Sequence, residues 1–366
     1  MSLRVDPALD TSAMIVLIGG TGDVGKRLVS LLLKHTAASV MVVSRRGVAS
    51  DNRVQTLRLN IAAKDAATKI PIGATVVNLT EATPPSVAAE VVRGGGNFLE
   101  TSASPNYVEM IVAEVSAADP AGTGVVCVGA APGLSTLMAA DAAQTEGCAS
   151  IDIGLELGMG RHYGAAATEW SIGVLGNKYQ VSGIKNTTVR PGDIRRRFVF
   201  ARGGKSRMAL GLGFAQQGIV RQSEKGTPIR VRSFLALHPA YVTKLTGLLL
   251  RLGLGPILAR HKRGLTRILM RLPPLGRVGT SIAVEARGAD GGILAARHIA
   301  AGDQAEVTAT MILATILALD AEEKPLRGAT TIADHLTMTQ ALDALRHLRP
   351  DMQIEAWSSG TAGDRA

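Results

Sequence analysis

The stretch from Met14 to Arg46 constrains the fold of this chain more than any other part of the sequence. It opens with a short, continuously apolar run, Met14 to Ile18, which is typical of a strand buried on both faces of a parallel sheet. A glycine-rich turn, Gly19 to Gly25, follows at once, and apolar residues then recur at helical spacing up to Lys34. A second apolar run at 39–43 predicts the next strand. The glycines therefore lie where a strand turns into a helix.

This order of elements predicts a binding site for the pyrophosphate of a dinucleotide. Gly20 permits the tight turn, Gly22 lacks the Cβ that would hold the backbone away from phosphate oxygens, and Gly25 lets the helix pack closely on the strand. The N–H groups of the first helical turn then face the anion. A plain structural turn is the alternative, because glycines are common in this chain. The cofactor-binding residues predicted in the turn are Gly20, Thr21, Gly22, Asp23, Val24 and Gly25.

The end of the second strand distinguishes between the two nicotinamide cofactors. NAD sites usually place an acidic residue about twenty positions beyond the glycines, where it binds the ribose 2′-hydroxyl. This chain has Ser44, Arg45 and Arg46 there. A guanidinium and a hydroxyl bind a 2′-phosphate, which a carboxylate would repel. We therefore predict NADP(H) as the cofactor. The alternative is that these residues only begin a solvated loop.

Length and charge limit the class of protein further. A chain of 366 residues is long enough for two domains, because single cores stop growing at about 250 to 300 residues. The formal net charge of +10 suits an anionic cofactor or partner. We do not predict nucleic acid as that partner. No RNA-binding motif or zinc-finger spacing occurs, and aromatic residues make up only 3% of the chain.

Two features of the sequence lead us to expect a cytoplasmic protein. The first residues, Met1 to Pro7, lack the basic, apolar and small-residue order of a signal peptide, and no apolar run reaches the about eighteen residues of a spanning helix. Cys127 and Cys148 have neither CxxC spacing nor a neighbouring His in the sequence, so we expect both to be reduced.

Apolar strands and helical stretches alternate up to about residue 148. This alternation predicts an α/β fold class, with a Rossmann-type doubly wound parallel sheet followed by an α+β substrate domain that has an open, largely antiparallel sheet. Ser150 to Leu157 alternates apolar and polar residues and predicts a strand with one wet face. The predicted divisions are a dinucleotide-binding domain at 1–148, a substrate and dimerisation domain at 149–324, a C-terminal segment packed back on the first domain at 325–357, and a disordered tail at 358–366.

Ligands of a doubly wound sheet lie beyond the carboxyl ends of its strands. A third strand is predicted at 57–61 and a short helix at 62–69, and further strand ends follow near residues 79, 102 and 129. The residues at these ends that we predict to face the cofactor are Asn60, Thr80, Ala82, Ser102, Pro132 and Gly133.

The stretch from Pro239 to Pro273 differs in character from the rest of the chain. It contains many Leu and Ile residues, interleaved with Lys and Arg and without a single acidic residue. The favoured interpretation is a basic helical insert that packs on its own domain or on a dimer mate. The alternative is an amphipathic helical pair that lies on an anionic membrane surface.

Several motifs resemble those of the saccharopine dehydrogenase-like family of NAD(P)-dependent oxidoreductases. The glycine turn at 16–25 and the Pro-Gly turn at 130–135 carry the more specific resemblance. The segments 97–102, 169–175 and 309–318 are similar to a strand, a Trp-Ser helix and a C-terminal helix of that family. The resemblance implies hydride transfer between a nicotinamide and a carbon–nitrogen or carbonyl group, and some members reduce other double bonds. The chain departs from the family pattern at Glu100, where the family often has Asp, and in the basic insert at 239–273.

The candidates for the chemistry follow the first strand of the second domain. A proton donor should have a pKa near the working pH, so His162 and the neighbouring Tyr163 are the first candidates. Glu169 lies about two helical turns further on and is a third candidate. Arg161 is predicted to bind a substrate carboxylate through two hydrogen bonds. The alternative is an ordinary polar loop with a solvated Glu169. No metal-ligand spacing and no G-x-S-x-G motif occurs in the sequence.

The sequence as a whole therefore predicts an NADPH-dependent oxidoreductase. It would transfer hydride to an imine, carbonyl or activated alkene of a small biosynthetic substrate, and we expect a homodimer. Two alternatives belong to other classes: a non-catalytic sensor or interaction protein that binds NADP(H), and a reductase associated with a membrane surface.

Overall fold

A computed structural model of the chain describes residues 14–45, 53–161, 164–181, 187–220 and 228–359. Three of the predicted site residues, Arg46, His162 and Tyr163, lie outside the described residues. Within them, no helix is both long and apolar enough to cross a membrane.

The described elements alternate between strands and helices in the first part of the chain and are mainly strands in the second. The strands are β1 Met14–Ile18, β2 Ser39–Ser44, β3 Val54–Arg58, β4 Thr75–Asn78, β5 Asn97–Glu100, β6 Thr123–Val126, β7 Ser150–Gly158, β8 Tyr179–Val181, β9 Thr187–Val189, β10 Arg195–Phe198, β11 Arg207–Leu212, β12 Arg230–His238, β13 Thr280–Arg287, β14 Ile293–Ala301, β15 Gly328–Thr331 and β16 Glu355–Ser359. The helices are α1 Asp23–His35, α2 Pro85–Arg93, α3 Pro105–Ser116, α4 Leu134–Ala143, α5 Ala165–Gly173, α6 Gln216–Ile219, α7 Ala240–Arg251, α8 Gly255–Arg260, α9 Lys262–Leu269, α10 Gln304–Asp320 and α11 Met338–Leu348.

The chain divides into two compact units, which we call unit 1 and unit 2. Unit 1 comprises the chain up to Leu137 together with Ala305–Asp351, and unit 2 comprises Met138–Gln304 and the residues from Met352 onward. Helix α10 therefore belongs with the first sheet, although the sequence placed it in the substrate domain. The reason is non-local, because Thr308 Oγ1 accepts a hydrogen bond from the Ala130 N–H at 3.3 Å and Glu306 pairs with Arg27 at 2.5 Å.

Unit 1 contains a doubly wound parallel sheet. Among the described residues its strands lie in the order β3, β2, β1, β4, β5, β6, β15, and every neighbouring pair is parallel. The order 3-2-1-4-5-6 is that of dinucleotide-binding sheets. Residues Ile15–Ile18 of β1 are at most 1% exposed, and α1 buries Leu28, Leu31 and Leu32. The predicted Rossmann-type fold is confirmed.

The region after β2 differs from the prediction in detail. The third strand spans Val54–Arg58 and so begins earlier than the predicted 57–61. It pairs with β2, with Val40 opposite Val54 and Ser44 opposite Arg58. Asn60 therefore lies in the turn after the strand and not within it. The helix predicted at 62–69 is reduced to a short 3-10 turn, Ala67–Lys69.

Unit 2 contains a mixed sheet. In the described part of the chain its strands lie in the order β10, β11, β12, β7, β13, β14, β16, and only the β7–β12 pair is parallel. The sheet is curled, since the Phe198 ring on β10 lies against Gly154 on β7, so close that a Cβ there would be 2.7 Å from the ring. His298 on β14 also reaches the Val199 carbonyl, with its Nδ1 at 3.0 Å.

Two predictions about unit 2 are wrong. Strand β7 was expected to have a wet face, but all nine of its residues are buried. Its acidic residues are paired with arginines: Asp152 with Arg232 and Arg287 of the adjacent strands β12 and β13, and Glu156 with Arg207 of β11. The tail was expected to be disordered from residue 358, yet Ser358 and Ser359 end β16, which pairs with β14. Residues 360–366 lie outside the described residues.

Candidate cofactor-binding site

The turn between β1 and α1 is built around glycines that the fold itself requires. Gly19 has a φ of +80°, which L side chains rarely adopt, and its N–H donates to the Val43 carbonyl at 3.3 Å. A Cβ on Gly25 would collide with the backbone of Gly20, and a Cβ on Gly20 would lie 2.9 Å from the Leu17 Cβ. These contacts let α1 approach β1 closely, as expected for a dinucleotide-binding turn.

Gly22 is different, because neither its backbone angles nor its contacts with the described residues require a glycine at this position. Its φ of −72° and ψ of 178° suit any residue, and a Cβ would meet only the Gly19 carbonyl oxygen at an ordinary 3.5 Å. Gly22 and Thr21 are both exposed. A glycine that neither packing nor backbone geometry explains is typical of a place where a ligand approaches the main chain.

Helix α1 begins at this turn. Gly22 is its N-cap, and no side chain in the described part of the chain caps it. Asp23 in the first turn lies near Arg27, with its Oδ1 3.5 Å from the Arg27 Nε. The N-terminus of a helix concentrates backbone N–H donors and positive partial charge, which favours an anion.

The carboxyl end of β2 lies beside this turn and carries basic and neutral side chains. Ser44 is half-buried, Arg45 is exposed, and neither is acidic. Register places Arg58 of β3 opposite Ser44, and the Arg58 Nε donates to the Arg45 carbonyl at 3.3 Å. Arg58 is a candidate 2′-phosphate ligand that the sequence reasoning missed. The pairing of β2 with β3 reveals it.

Thr80 and Ala82 follow β4 directly. The Thr80 side chain packs against Gly19, where a Cβ would lie 3.4 Å from the Thr80 Cβ, and its Oγ1 accepts from the Ala82 N–H at 3.2 Å. The ends of β1 and β4 therefore meet at one edge, and these two predicted residues lie beside the glycine turn. Asn60, by contrast, caps its own turn, with its Oδ1 accepting from the Ala62 N–H at 3.3 Å.

A buried polar network joins the ends of β4 and β5. Asn78 Nδ2 donates to Glu100 Oε2 at 2.6 Å and to the Tyr107 hydroxyl at 3.0 Å. The Tyr107 hydroxyl donates to the Thr83 carbonyl at 2.7 Å, and Thr83 Oγ1 donates to Asn78 Oδ1 at 2.7 Å. Every member is therefore hydrogen-bonded, which fixes the geometry of this sheet edge.

Glu100 is the central acid of this network. Burial raises the pKa of Glu100 to about 8, even though the Asn78 amide and the Ser102 N–H favour the charged form. Ser102, a predicted cofactor ligand, also donates from its Oγ to Glu81 Oε1 at 2.5 Å. The sequence singled out Glu100 only as a departure from a family pattern, because the pKa of a carboxyl group depends on neighbours that are distant in the chain.

The turn at 130–135 is closely packed. The Ala131–Pro132 peptide bond is cis, and Gly133 has a φ of +139° and would collide with the Gly129 backbone if it had a Cβ. Pro132 and Gly133 are buried. Before this turn, Cys127 is also buried, and burial raises the pKa of its thiol to about 12. Cys127 is therefore a thiol and not a thiolate at neutral pH.

One predicted catalytic residue, Glu169, and the predicted substrate ligand, Arg161, can be described, and both lie in unit 2. Arg161 Nη1 is 3.4 Å from Oδ1 of the buried Asp303. Glu169 on α5 faces α9, with its Oε1 3.4 Å from Lys262 Nζ and 3.6 Å from Arg263 Nε. Both predicted residues therefore have ion-pair partners within unit 2. Among the described residues, no group of three or more His, Cys, Asp or Glu side chains is placed to hold a metal ion.

Comparison with known proteins gives matches among solved structures. No protein-family model and no curated protein matches the chain. A probable dehydrogenase from Thermotoga maritima is similar at 10% identity and a TM-score of 0.41, over 94% of this chain and 98% of that one. Dipicolinate-bound dihydrodipicolinate reductase from Paenisporosarcina sp. TG-14 is similar at 10% identity and a TM-score of 0.40, over 88% of this chain and 99% of that one. The Bordetella bronchiseptica enzyme WbmF, in complex with NAD+ and UDP, matches at 13% identity and a TM-score of 0.25 over 32% of this chain. The chain spans 49% of the length of WbmF.

Proposed function

We propose that this chain is an NADP(H)-dependent oxidoreductase. The observation that carries the proposal is Gly22, an exposed glycine at the start of α1 that neither its backbone angles nor the packing of the described residues requires. Because glycine has no Cβ, pyrophosphate oxygens can approach the N–H groups of the helix at this point. The strand order of the sheet supports the same conclusion, because ligands of such sheets bind at the carboxyl ends of the strands.

The choice of NADP(H) over NAD(H) rests on the end of β2. Ser44 offers a hydroxyl and Arg45 an exposed guanidinium, and Arg58 adds a second cation from the neighbouring strand. Arg46 belongs to the same proposal on the sequence alone. Charge-assisted hydrogen bonds from these groups would bind a 2′-phosphate, whereas an NAD site offers a carboxylate to the ribose hydroxyl.

The cofactor supplies the hydride when it is bound, so the protein's task is to hold both reactants and move a proton. The amides of α1 hold the pyrophosphate, and the Asn78–Glu100 network keeps the strand ends beside it rigid. We further propose that the enzyme is of the saccharopine dehydrogenase-like kind and reduces an imine, carbonyl or activated alkene. His162 and Tyr163 remain the candidate proton donors, and Arg161 the candidate ligand of a substrate carboxylate. A homodimer remains a prediction.

Substitution of Gly22 tests the cofactor site directly. Gly22→Ala should fold normally, because the new Cβ meets only ordinary contact with the Gly19 carbonyl. It should nevertheless weaken NADPH binding by roughly tenfold or more, since the methyl group stands where a phosphate must approach the backbone. Fluorescence titration with NADPH measures the change, and thermal unfolding checks the fold.

The matched control is Gly264→Ala in α9, where a Cβ meets nothing within 4 Å. This variant should bind NADPH like the wild type. Equal affinities for Gly22→Ala and Gly264→Ala would remove the main support for the proposal. Equal affinities for NADH and NADPH, or an unchanged preference in Arg45→Ala, would show that the NADP(H) assignment is wrong. Tight NADPH binding without turnover on a panel of imines and carbonyls would favour the non-catalytic sensor.

A further inference from the structure

The solvent-facing side of α7 carries an apolar stripe. Tyr241, Leu245, Leu248 and Leu252 recur at the spacing of one helical face, and their exposed fractions are 57%, 55%, 52% and 65%. An ordinary surface helix directs such a stripe towards the core of its own domain. Helix α7 therefore differs from such a helix, since four of its large apolar side chains are exposed while others, such as Leu250, are half-buried.

The opposite side of α7 explains this exposure. It packs against β11 and β12 through small or polar groups, and its buried residues are Thr243 and Gly247. Thr243 Oγ1 accepts from the Leu237 N–H at 2.7 Å, and the Gly247 carbonyl accepts from Arg195 Nη2 at 3.1 Å. A Cβ on Gly247 would lie 3.2 Å from the Leu210 Cδ2, so the helix backbone itself lies close to the sheet. The outward leucines therefore contribute little to the core of unit 2.

The apolar exposure continues beyond α7. The following helices and the irregular segment before β13 add exposed large side chains, which are Ile257, Ile268, Leu269, Leu272, Leu275 and Val278. Together with the stripe on α7 these side chains form what we call the basic apolar surface, at 241–278. Exposed apolar side chains in such number within one stretch of chain are typical of an interaction site.

The charge of this surface has one sign. Residues 239–278 contain eight Lys and Arg residues and no Asp or Glu. Three of the eight cations pair with acids elsewhere in unit 2: Lys262 and Arg263 with Glu169, and Arg277 with Glu156. The other five form no ion pair with a carboxylate among the described residues, and they are Lys244, Arg251, Arg260, Arg267 and Arg271.

We propose that the basic apolar surface binds an anionic phospholipid membrane. The exposed leucines would enter the boundary between headgroups and acyl chains, and the five cations would contact lipid phosphates. A second copy of the chain fits less well, because a two-fold interface would bring this surface against itself, cation against cation. Duplex or single-stranded nucleic acid would use the cations but leave the leucines in water. The proposal does not depend on the cofactor or on the reaction.

Vesicle co-sedimentation of the full chain tests this inference. Binding is expected to phosphatidylcholine vesicles that contain phosphatidylserine, and it should fall with rising salt and be weak to phosphatidylcholine alone. The double variant Lys244→Gln with Arg251→Gln should reduce partitioning by about tenfold or more. The double variant Leu245→Ser with Leu248→Ser should reduce it by a similar factor, because the apolar contact is lost.

Matched controls come from exposed positions elsewhere. Arg202→Gln with Lys205→Gln removes one Arg and one Lys from another exposed turn of unit 2, and Ile72→Ser with Leu326→Ser removes two exposed apolar residues from unit 1. Both controls should bind vesicles like the wild type. The inference is wrong if the wild type does not bind anionic vesicles or if the controls lose binding equally. It is also wrong if the Leu245→Ser and Leu248→Ser pair only turns a dimer into a monomer in analytical ultracentrifugation.

Discussion

Glu100 shows how burial competes with hydrogen bonding at a single residue. Its side chain is 1% exposed, and its two carboxyl oxygens accept hydrogen bonds from Asn78 Nδ2 and the Ser102 N–H, both at 2.6 Å. These donors favour the charged form, while the loss of solvent disfavours it. The loss of solvent prevails, because the pKa of Glu100 is raised to about 8. A neutral carboxyl group therefore lies at the sheet edge near neutral pH.

This shift predicts how stability depends on pH. In the unfolded chain the carboxyl group ionises near its ordinary pKa of about 4.3, whereas in the folded chain it keeps its proton up to about 8. Between these values the unfolded state binds fewer protons, so the contribution of Glu100 to stability is full below the lower value and is lost as pH rises towards the upper one. Glu100→Gln has no proton to lose. As pH rises from 5 to 8, the free energy of unfolding of the wild type should therefore fall relative to that of Glu100→Gln.

Urea unfolding at several pH values measures this difference. Glu90→Gln provides the control, because Glu90 is an exposed partner of Arg93 on α2 and should leave the pH dependence unchanged. Parallel pH profiles for the wild type and Glu100→Gln would contradict the raised pKa.

At the scale of the element, β7 has a charged face inside the protein. Asp152 is fully buried, with its Oδ1 2.6 Å from the Arg232 Nε of β12 and its Oδ2 2.9 Å from the Arg287 Nε of β13. Arg196 of β10 contributes a third guanidinium at 3.2 Å. One carboxylate therefore links β7 to strands on both sides and to β10, which curls back over the sheet.

Asp152→Asn should strongly destabilise unit 2. The variant leaves the largely buried Arg232 guanidinium without its counter-charge, while Arg287 keeps its second partner, Glu285. Removing one partner of a buried ion pair costs about 3 to 5 kcal/mol in free energy of unfolding. Asp141→Asn is the matched control, because Asp141 pairs with Arg297 near the surface and its side chain is 45% exposed. Its loss should be below about 1 kcal/mol. Similar losses in the two variants, measured by urea unfolding, would show that the Asp152 cluster does not hold the sheet together.

The same strand shows which parts of the fold the sequence can predict. The period-two pattern at 150–157 located β7 correctly, because alternation is a local property of the chain. Its surroundings were predicted wrongly, because the arginines that pair with Asp152 are distant in sequence, the nearest being Arg196, 44 residues further along the chain. The order of strand, glycine turn and helix at 14–35 was predicted correctly for the opposite reason: these elements are neighbours in sequence. Arg58 was missed because only the β2–β3 register brings it to Ser44.

At the scale of the whole molecule, residues 328–359 contribute elements to both units. Strand β15 pairs with β6 at the edge of the first sheet, and α11 buries Ala344, Leu345 and Leu348 in unit 1. The chain then passes to unit 2, where β16 pairs with β14. The predicted C-terminal segment at 325–357 thus contains elements of both units. Local patterns could not reveal this division, because it depends on pairing with strands far back in the chain.

Two truncations separate these roles. A chain that ends after Asp351 keeps every described element of unit 1 and loses only β16, together with the Trp357 ring that stacks on His298 at 4.8 Å. We expect it to bind NADPH with nearly wild-type affinity, while unit 2 unfolds at a lower urea concentration.

A chain that ends after Arg327 also loses β15 and α11, and with them the ion pair between Arg349 and Glu306 on α10. It exposes the edge of β6 and the apolar groups that α11 covers, so NADPH binding should be lost. Fluorescence titration and limited proteolysis distinguish the two. Retained NADPH binding in the shorter chain would contradict this prediction, because it would mean that unit 1 folds without β15 and α11.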